Sequence, residues 1–60
     1  MKPGDIVKIS RYTFLHKGVF VLQNSEVEIL QIDGDSVTVL YRDKEGLEHH
    51  VPLKITDISQ

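Results

Sequence analysis

Residues 26–51 read Glu26-Val-Glu-Ile-Leu-Gln-Ile32, Asp33-Gly34-Asp35, Ser36-Val-Thr-Val-Leu-Tyr-Arg42, Asp43-Lys-Glu-Gly46 and Leu47-Glu-His-His-Val51. This stretch indicates the architecture most clearly. Val37, Val39 and Tyr41 recur at every second position, the period of a strand with one face on a core. The two breaks that contain Gly34 and Gly46 are typical of tight turns, because glycine adopts positive φ without steric cost. The stretch therefore predicts two consecutive β-hairpins.

Such a meander needs closing strands, and its flanking segments can supply them. Pro3-Gly4-Asp5 is a turn that begins the first strand, and the stretch 53–58 is too short for a stable helix, so it predicts one helical turn or a closing strand. We expect a single all-β domain over residues 1–60. About five short antiparallel strands in so short a chain favour a small SH3-like barrel. The predicted strands lie near Asp5–Ser10, Glu26–Ile32, Ser36–Arg42 and Leu47–Val51.

The alternation fails between residues 11 and 25. The stretch Arg11–Gly18 predicts a loop or an irregular hairpin. Val19–Leu22 is a short apolar run rich in β-branched and aromatic residues, and it predicts a strand. Two arrangements stay open for it, because it forms either one bent strand with residues 26–32 or a separate strand paired with them. Pro52 should end its strand or lie on a sheet edge, because it has no backbone N–H.

Composition limits the classes of function. The chain has no cysteine, which excludes disulfides and thiolate metal sites, and it has no apolar stretch that could cross a membrane. The start Met-Lys-Pro-Gly-Asp lacks the apolar region of a signal peptide, so we expect a cytoplasmic protein with no membrane association.

Charge is divided unevenly along the chain. The net charge of −2 argues against general nucleic-acid affinity. Residues 1–25 hold four basic side chains and one acidic one, whereas residues 26–60 hold three basic and eight acidic. Either the acidic hairpin tips are simply solvated, or one end of the barrel steers a charged partner.

The three histidines suggest a metal site, but their spacing opposes it. His49 and His50 are adjacent on a strand, so their side chains point to opposite faces and cannot chelate one ion together with His16. Parity places His49 toward the core and His50 in solvent. No pair of carboxylates, nucleophile motif or phosphate-binding loop is present, so we expect no enzyme activity, cofactor, metal or small-molecule substrate.

The aromatic residues offer the best candidate site. One interpretation is that Phe14 and Phe20 fill the core while Tyr41 packs at a strand end with its hydroxyl in water. The other is an exposed aromatic platform, interleaved with basic residues, that clamps a peptide or stacks bases. The candidate binding residues are Arg11, Tyr12, Phe14, Lys17, Phe20 and Tyr41. Leu40 faces outward by parity and could extend a contact patch.

The stretch from Pro3-Gly4-Asp5 and Ile-Val-Lys-Ile, through Val27 to Asp43 and on to Val51, resembles the small SH3-like barrels of the Tudor, KOW and YodC-like kind. The Tudor resemblance implies a cage for methylated lysine or arginine, in which Tyr41 and Asp43 match. Lys44 stands where the second cage aromatic would be, and a cation there would repel the ligand. KOW-type barrels imply RNA, ribosomal or transcription partners.

These observations lead to two hypotheses of function. The first is a non-enzymatic adaptor that binds another protein, or itself, through its apolar and aromatic surface. The second is nucleic-acid binding through the basic, aromatic N-terminal third. They differ in their response to salt, because phosphate contacts weaken steeply as ionic strength rises.

Overall fold

The structure, a computed structural model, describes residues 1–59 as an all-β fold built from seven strands and one 3₁₀ turn. The 3₁₀ turn spans Ile55–Asp57. The strands are β1 Ile6–Ile9, β2 Phe14–His16, β3 Val19–Val21, β4 Glu26–Asp33, β5 Ser36–Arg42, β6 Glu48–Lys54 and β7 Ile58–Ser59. The all-β prediction and the central meander are confirmed.

Five of the strands form one curled antiparallel sheet in the order β6-β5-β4-β1-β7. A two-residue turn of Gly34 and Asp35 joins β4 to β5, and the φ of +60° at Gly34 suits the first position of a type II′ turn. Strand β4 carries a bulge between Ile29 and Gln31, which leaves Leu30 as an extra residue. A bulge increases local bend and twist and so helps the sheet curl.

The core lies inside the curl of this sheet. Val37, Val39 and Tyr41 point into it as the alternation predicts, and Leu40 lies on the opposite face between Glu28 and His50. His50 is exposed, whereas His49 lies beside Tyr41 at the end of the core and is half-buried. The buried residues are Val7, Ile9, Val21, Val27, Ile29, Val37, Val39, Tyr41, Val51, Leu53 and Ile58.

Three segments differ from the sequence predictions or complete them. Strand β6 begins at Glu48 and runs past Pro52 to Lys54, which is tolerated because β6 is an edge strand. The stretch 53–58 supplies both the helical turn and the closing strand β7. Strand β3 pairs with β2 and not with β4, so neither arrangement considered for Val19–Leu22 is correct.

Candidate functional site

The stretch 11–22, predicted as a loop or an irregular hairpin followed by a strand, contains a regular β-hairpin made of β2 and β3. Lys17 and Gly18 form its two-residue turn with φ values of +49° and +81°. Positive φ at both positions is the requirement of a type I′ turn, whose twist matches that of the flanking strands. His16 therefore pairs with Val19 and Leu15 with Phe20, and the side chains alternate between two faces.

The inner face of the hairpin packs on the core. Val21 is fully buried, and Phe14 and Val19 pack against the core cluster. Polar contacts hold the open end of the hairpin, because the Gln23 backbone N–H donates to Thr13 Oγ1 at 3.1 Å. The Tyr41 hydroxyl donates to the Phe20 carbonyl oxygen at 3.1 Å. The hairpin is thus fixed to the sheet through its inner face and its β3 edge.

The outer face of the hairpin carries three exposed apolar side chains. Leu15 and Phe20 are cross-strand partners and are 61% and 65% exposed, and Leu22 is 43% exposed. We call Leu15, Phe20 and Leu22 the hairpin face. Single exposed apolar residues are ordinary, but neighbouring ones in so small a protein form a patch of the kind found at contact sites.

A groove runs from the hairpin to the turn between β5 and β6. Its volume is about 640 Å³. The hairpin and Tyr41 contribute mainly apolar groups, and the turn contributes charged residues at the other end. The lining residues are Thr13, Gly18, Val19, Phe20, Leu22, Tyr41, Asp43, Lys44 and Glu45. Such a concave, mostly apolar surface with a polar end suits a peptide or side-chain ligand.

Asp43 holds the charged end of the groove in place. Its Oδ1 accepts hydrogen bonds from the backbone N–H groups of Glu45 and Leu47, at 2.9 and 3.0 Å. His49 Nε2 donates to Asp43 Oδ2 at 2.8 Å, since an ionised carboxylate can only accept. The bond from His49 lowers the pKa of Asp43, partial desolvation opposes this, and the two backbone bonds lower the pKa further. The carboxylate is therefore engaged in stabilising the turn.

The six residues predicted as a binding surface do not share one surface. Tyr12 is 81% exposed and Phe20 lies on the hairpin face, but Phe14 occupies the opposite face of the hairpin and Tyr41 is buried. The Arg11 guanidinium stacks 4.0 Å from the centroid of the Phe14 ring, and Lys17 lies in the turn. Phe20 and Tyr41 both line the groove, but the four aromatics form no single platform, and their role in binding stays a prediction.

Leu15 and Leu22 are not among the candidate binding residues predicted from the sequence. The signal was the Lys17-Gly18 pair, which stands midway between two three-residue apolar or aromatic segments. A hairpin centred on this pair places odd-numbered residues of β2 and even-numbered residues of β3 on one face, and the others on the opposite face. Lysine is uncommon at a positive φ, so the turn was not recognised.

Residues 1–59 contain neither a metal-binding cluster nor a membrane-spanning helix. No group of three or more potential metal-ligating side chains is found in this part of the chain. Within the same residues, no helix has the length and hydrophobicity needed to span a bilayer. His16 Nε2 is buried and finds no hydrogen-bond partner among them.

Comparison of the chain with known protein families, with curated proteins and with solved structures finds no match.

Proposed function

We propose that this chain is a non-enzymatic module that binds another protein through the hairpin face and the adjoining groove. The observation that supports this most directly is the contrast between the two faces of one hairpin. Phe14, Val19 and Val21 fix the hairpin to the core, while Leu15 and Phe20 stay in solvent. A rigid apolar surface binds at a low entropic cost, because little has to be ordered on association.

Burial of the exposed apolar side chains would contribute part of the binding free energy. Full burial of a leucine or phenylalanine side chain contributes about 1.5–3 kcal/mol. Leu15 and Phe20 are both more than half exposed and lie side by side. Their burial by a partner would contribute several kcal/mol, which is the role of an anchor at the centre of an interface.

The architecture we infer is a small barrel of the SH3-like kind. The curled five-stranded sheet and the hairpin between β1 and β4 support that assignment. Reading of methylated side chains has less support, because Tyr41 is buried with its hydroxyl bonded to Phe20. An aromatic cage needs an open ring face, and Lys44 would place a cation beside the ligand.

The bonding of Asp43 supports binding over catalysis. Its carboxylate accepts three hydrogen bonds, and two of them come from the backbone of its own turn. A carboxylate used in this way stabilises a loop and leaves little capacity to accept a proton from a substrate.

Nucleic-acid binding is the second candidate. One observation favours it: Tyr12 is exposed and stands in the sequence next to Arg11 and five residues before Lys17, so a base could stack on its ring near basic residues. This mode predicts affinity for a single-stranded oligonucleotide that falls steeply between low and moderate salt. Apolar contact with a protein would survive the same change in salt.

The experiment that tests the proposal is selection of random linear peptides on the immobilised protein. Peptides selected by the wild-type chain should lose affinity on the order of tenfold for Phe20→Ser, which removes an exposed anchor. Leu47→Ser is the matched control, because Leu47 is 57% exposed and lies outside the hairpin and the groove lining. Equal affinity for the two variants, or failure to select any peptide, would overturn the proposal.

A further inference from the structure

One edge of the hairpin has a free strand backbone. The type I′ turn makes His16 and Val19 a hydrogen-bonded pair, so the next pair, Leu15 and Phe20, directs its N–H and C=O groups away from the hairpin. On the β3 side, the Phe20 carbonyl accepts the Tyr41 hydroxyl. On the β2 side, no neighbouring strand among residues 1–59 meets the Leu15 groups.

The outer edges of the five-stranded sheet are protected against strand addition. Pro52 lies in the edge strand β6 and has no N–H to donate. The Lys54 N–H is already used, since it donates to Asp57 Oδ2 at 3.0 Å. The opposite edge strand, β7, is only two residues long. Strand β2 has no proline and no such backbone-to-carboxylate bond, so its edge is open to another strand.

The charged side chains of the hairpin segment itself, residues 11–25, all have one sign. Arg11 precedes the strand and Lys17 follows it, and no carboxylate occurs between residues 11 and 25. Pairing of β2 with β2 of a second copy would bring four cations together at one edge. An acidic strand would instead meet complementary charge at both ends of the contact.

We propose that β2 accepts an extended, acidic segment of a partner protein as a third strand of the hairpin sheet. Backbone groups of the segment bond to the N–H and C=O of Leu15, as in other cases of strand addition. Alternate side chains of the segment lie on Leu15 and Phe20, and its carboxylates lie near Arg11 and Lys17. This inference rests on the proposed function and names the chemistry of the partner.

The test uses the selected peptide of highest affinity and amide hydrogen exchange of the whole chain. Exchange of the Leu15 amide should slow roughly tenfold or more when the peptide is bound, because the amide gains a strand hydrogen bond. The Phe20 amide, which lies on the other edge, should not change. Selected peptides should be rich in Asp and Glu. Lys17→Gln should weaken binding several-fold, whereas Lys8→Gln, at an exposed position of the large sheet outside the hairpin and the groove lining, should not.

The outcomes separate the inference from the proposed function. Peptide binding that depends on Phe20 without protection of the Leu15 amide would overturn strand addition and leave the proposed function standing. Selection of basic peptides would overturn the acidic partner. Self-association of the chain alone that is lost in Leu15→Ser would identify a second copy as the occupant. Salt-sensitive binding of an oligothymidylate in place of peptides would contradict both proposals.

Discussion

At the scale of single residues, one carboxylate organises the turn between β5 and β6. The Asp43 carboxylate accepts hydrogen bonds from two backbone N–H groups and from the His49 ring. Gly46, with a φ of +82°, closes the turn by donating its N–H to the Asp43 carbonyl oxygen. The turn borders the groove, so the conformation of the turn shapes that end of the candidate site.

The lowered pKa of Asp43 predicts a loss of stability in acid. The folded chain holds this carboxyl below its ordinary pKa of 3.8, chiefly through the bond from His49. The unfolded chain therefore binds the proton more readily, and the stability due to ionised Asp43 is full above that value and is lost as pH falls through the folded pKa. Urea unfolding of wild type and Asp43→Asn between about pH 5 and about pH 2 checks this. The advantage of the wild type should shrink toward acid, and a difference independent of pH would contradict the assignment.

Substitution of Lys17 is expected to increase the stability of the folded chain. It holds a φ of +49° in the type I′ turn, a conformation that asparagine adopts more easily than lysine. Lys17→Asn should raise the free energy of unfolding by about 0.5–1 kcal/mol. Lys44→Asn is the control, because it removes the same charge from an exposed residue whose φ is not positive. If the two variants have the same unfolding midpoint in urea, the turn geometry is not as described.

At the scale of elements, the hairpin of β2 and β3 has a structural face and a solvent face. Phe14 is half-buried against the core, whereas Phe20 is 65% exposed on the other side. We expect Phe14→Ala to cost about 1.5–3 kcal/mol of folding stability, less than a fully buried phenylalanine. Phe20→Ala should cost under about 1 kcal/mol. Equal losses in urea unfolding would place both rings in the core.

The sequence predicted the regular elements better than the hairpin, for a physical reason. Val37, Val39 and Tyr41 alternate with mostly polar residues because one side of β5 faces water, and this alternation is visible in the sequence. In β2, Phe14 and Leu15 are both apolar although they lie on opposite faces. The residue types therefore do not indicate which face of β2 is buried. The bulge at Leu30 and the pairing of β3 with β2 depend on tertiary contacts, which local patterns do not encode.

The candidate site was predicted only in part, because exposure of an aromatic residue depends on its neighbours. Tyr12 and Phe20 are exposed as the platform hypothesis requires. Tyr41 is the last inward-facing residue of β5, and it is buried because the hairpin of β2 and β3 covers its ring. Its hydroxyl donates a hydrogen bond to the Phe20 carbonyl oxygen. No pattern within β5 indicates that the distant hairpin covers this ring.

At the scale of the whole molecule, the surface has two regions of different composition. The outer face of the large sheet mixes apolar and charged partners, as where Lys8 lies opposite Glu26 and Leu40 opposite Glu28. On the hairpin face, by contrast, three apolar side chains lie without a carboxylate between residues 11 and 25. We expect recognition to be concentrated on the hairpin face.

The most direct measurement of that claim is the affinity of a selected peptide for two serine variants. Leu15 on the hairpin and Ile6 on the large sheet are each 61% exposed, so Leu15→Ser and Ile6→Ser remove comparable apolar surface. Titration calorimetry, with urea unfolding to show that both variants are folded, should give a loss on the order of tenfold for Leu15→Ser. For Ile6→Ser, the affinity should stay within about twofold of wild type. Equal losses, or a larger loss for Ile6→Ser, would contradict the hairpin face as the binding surface.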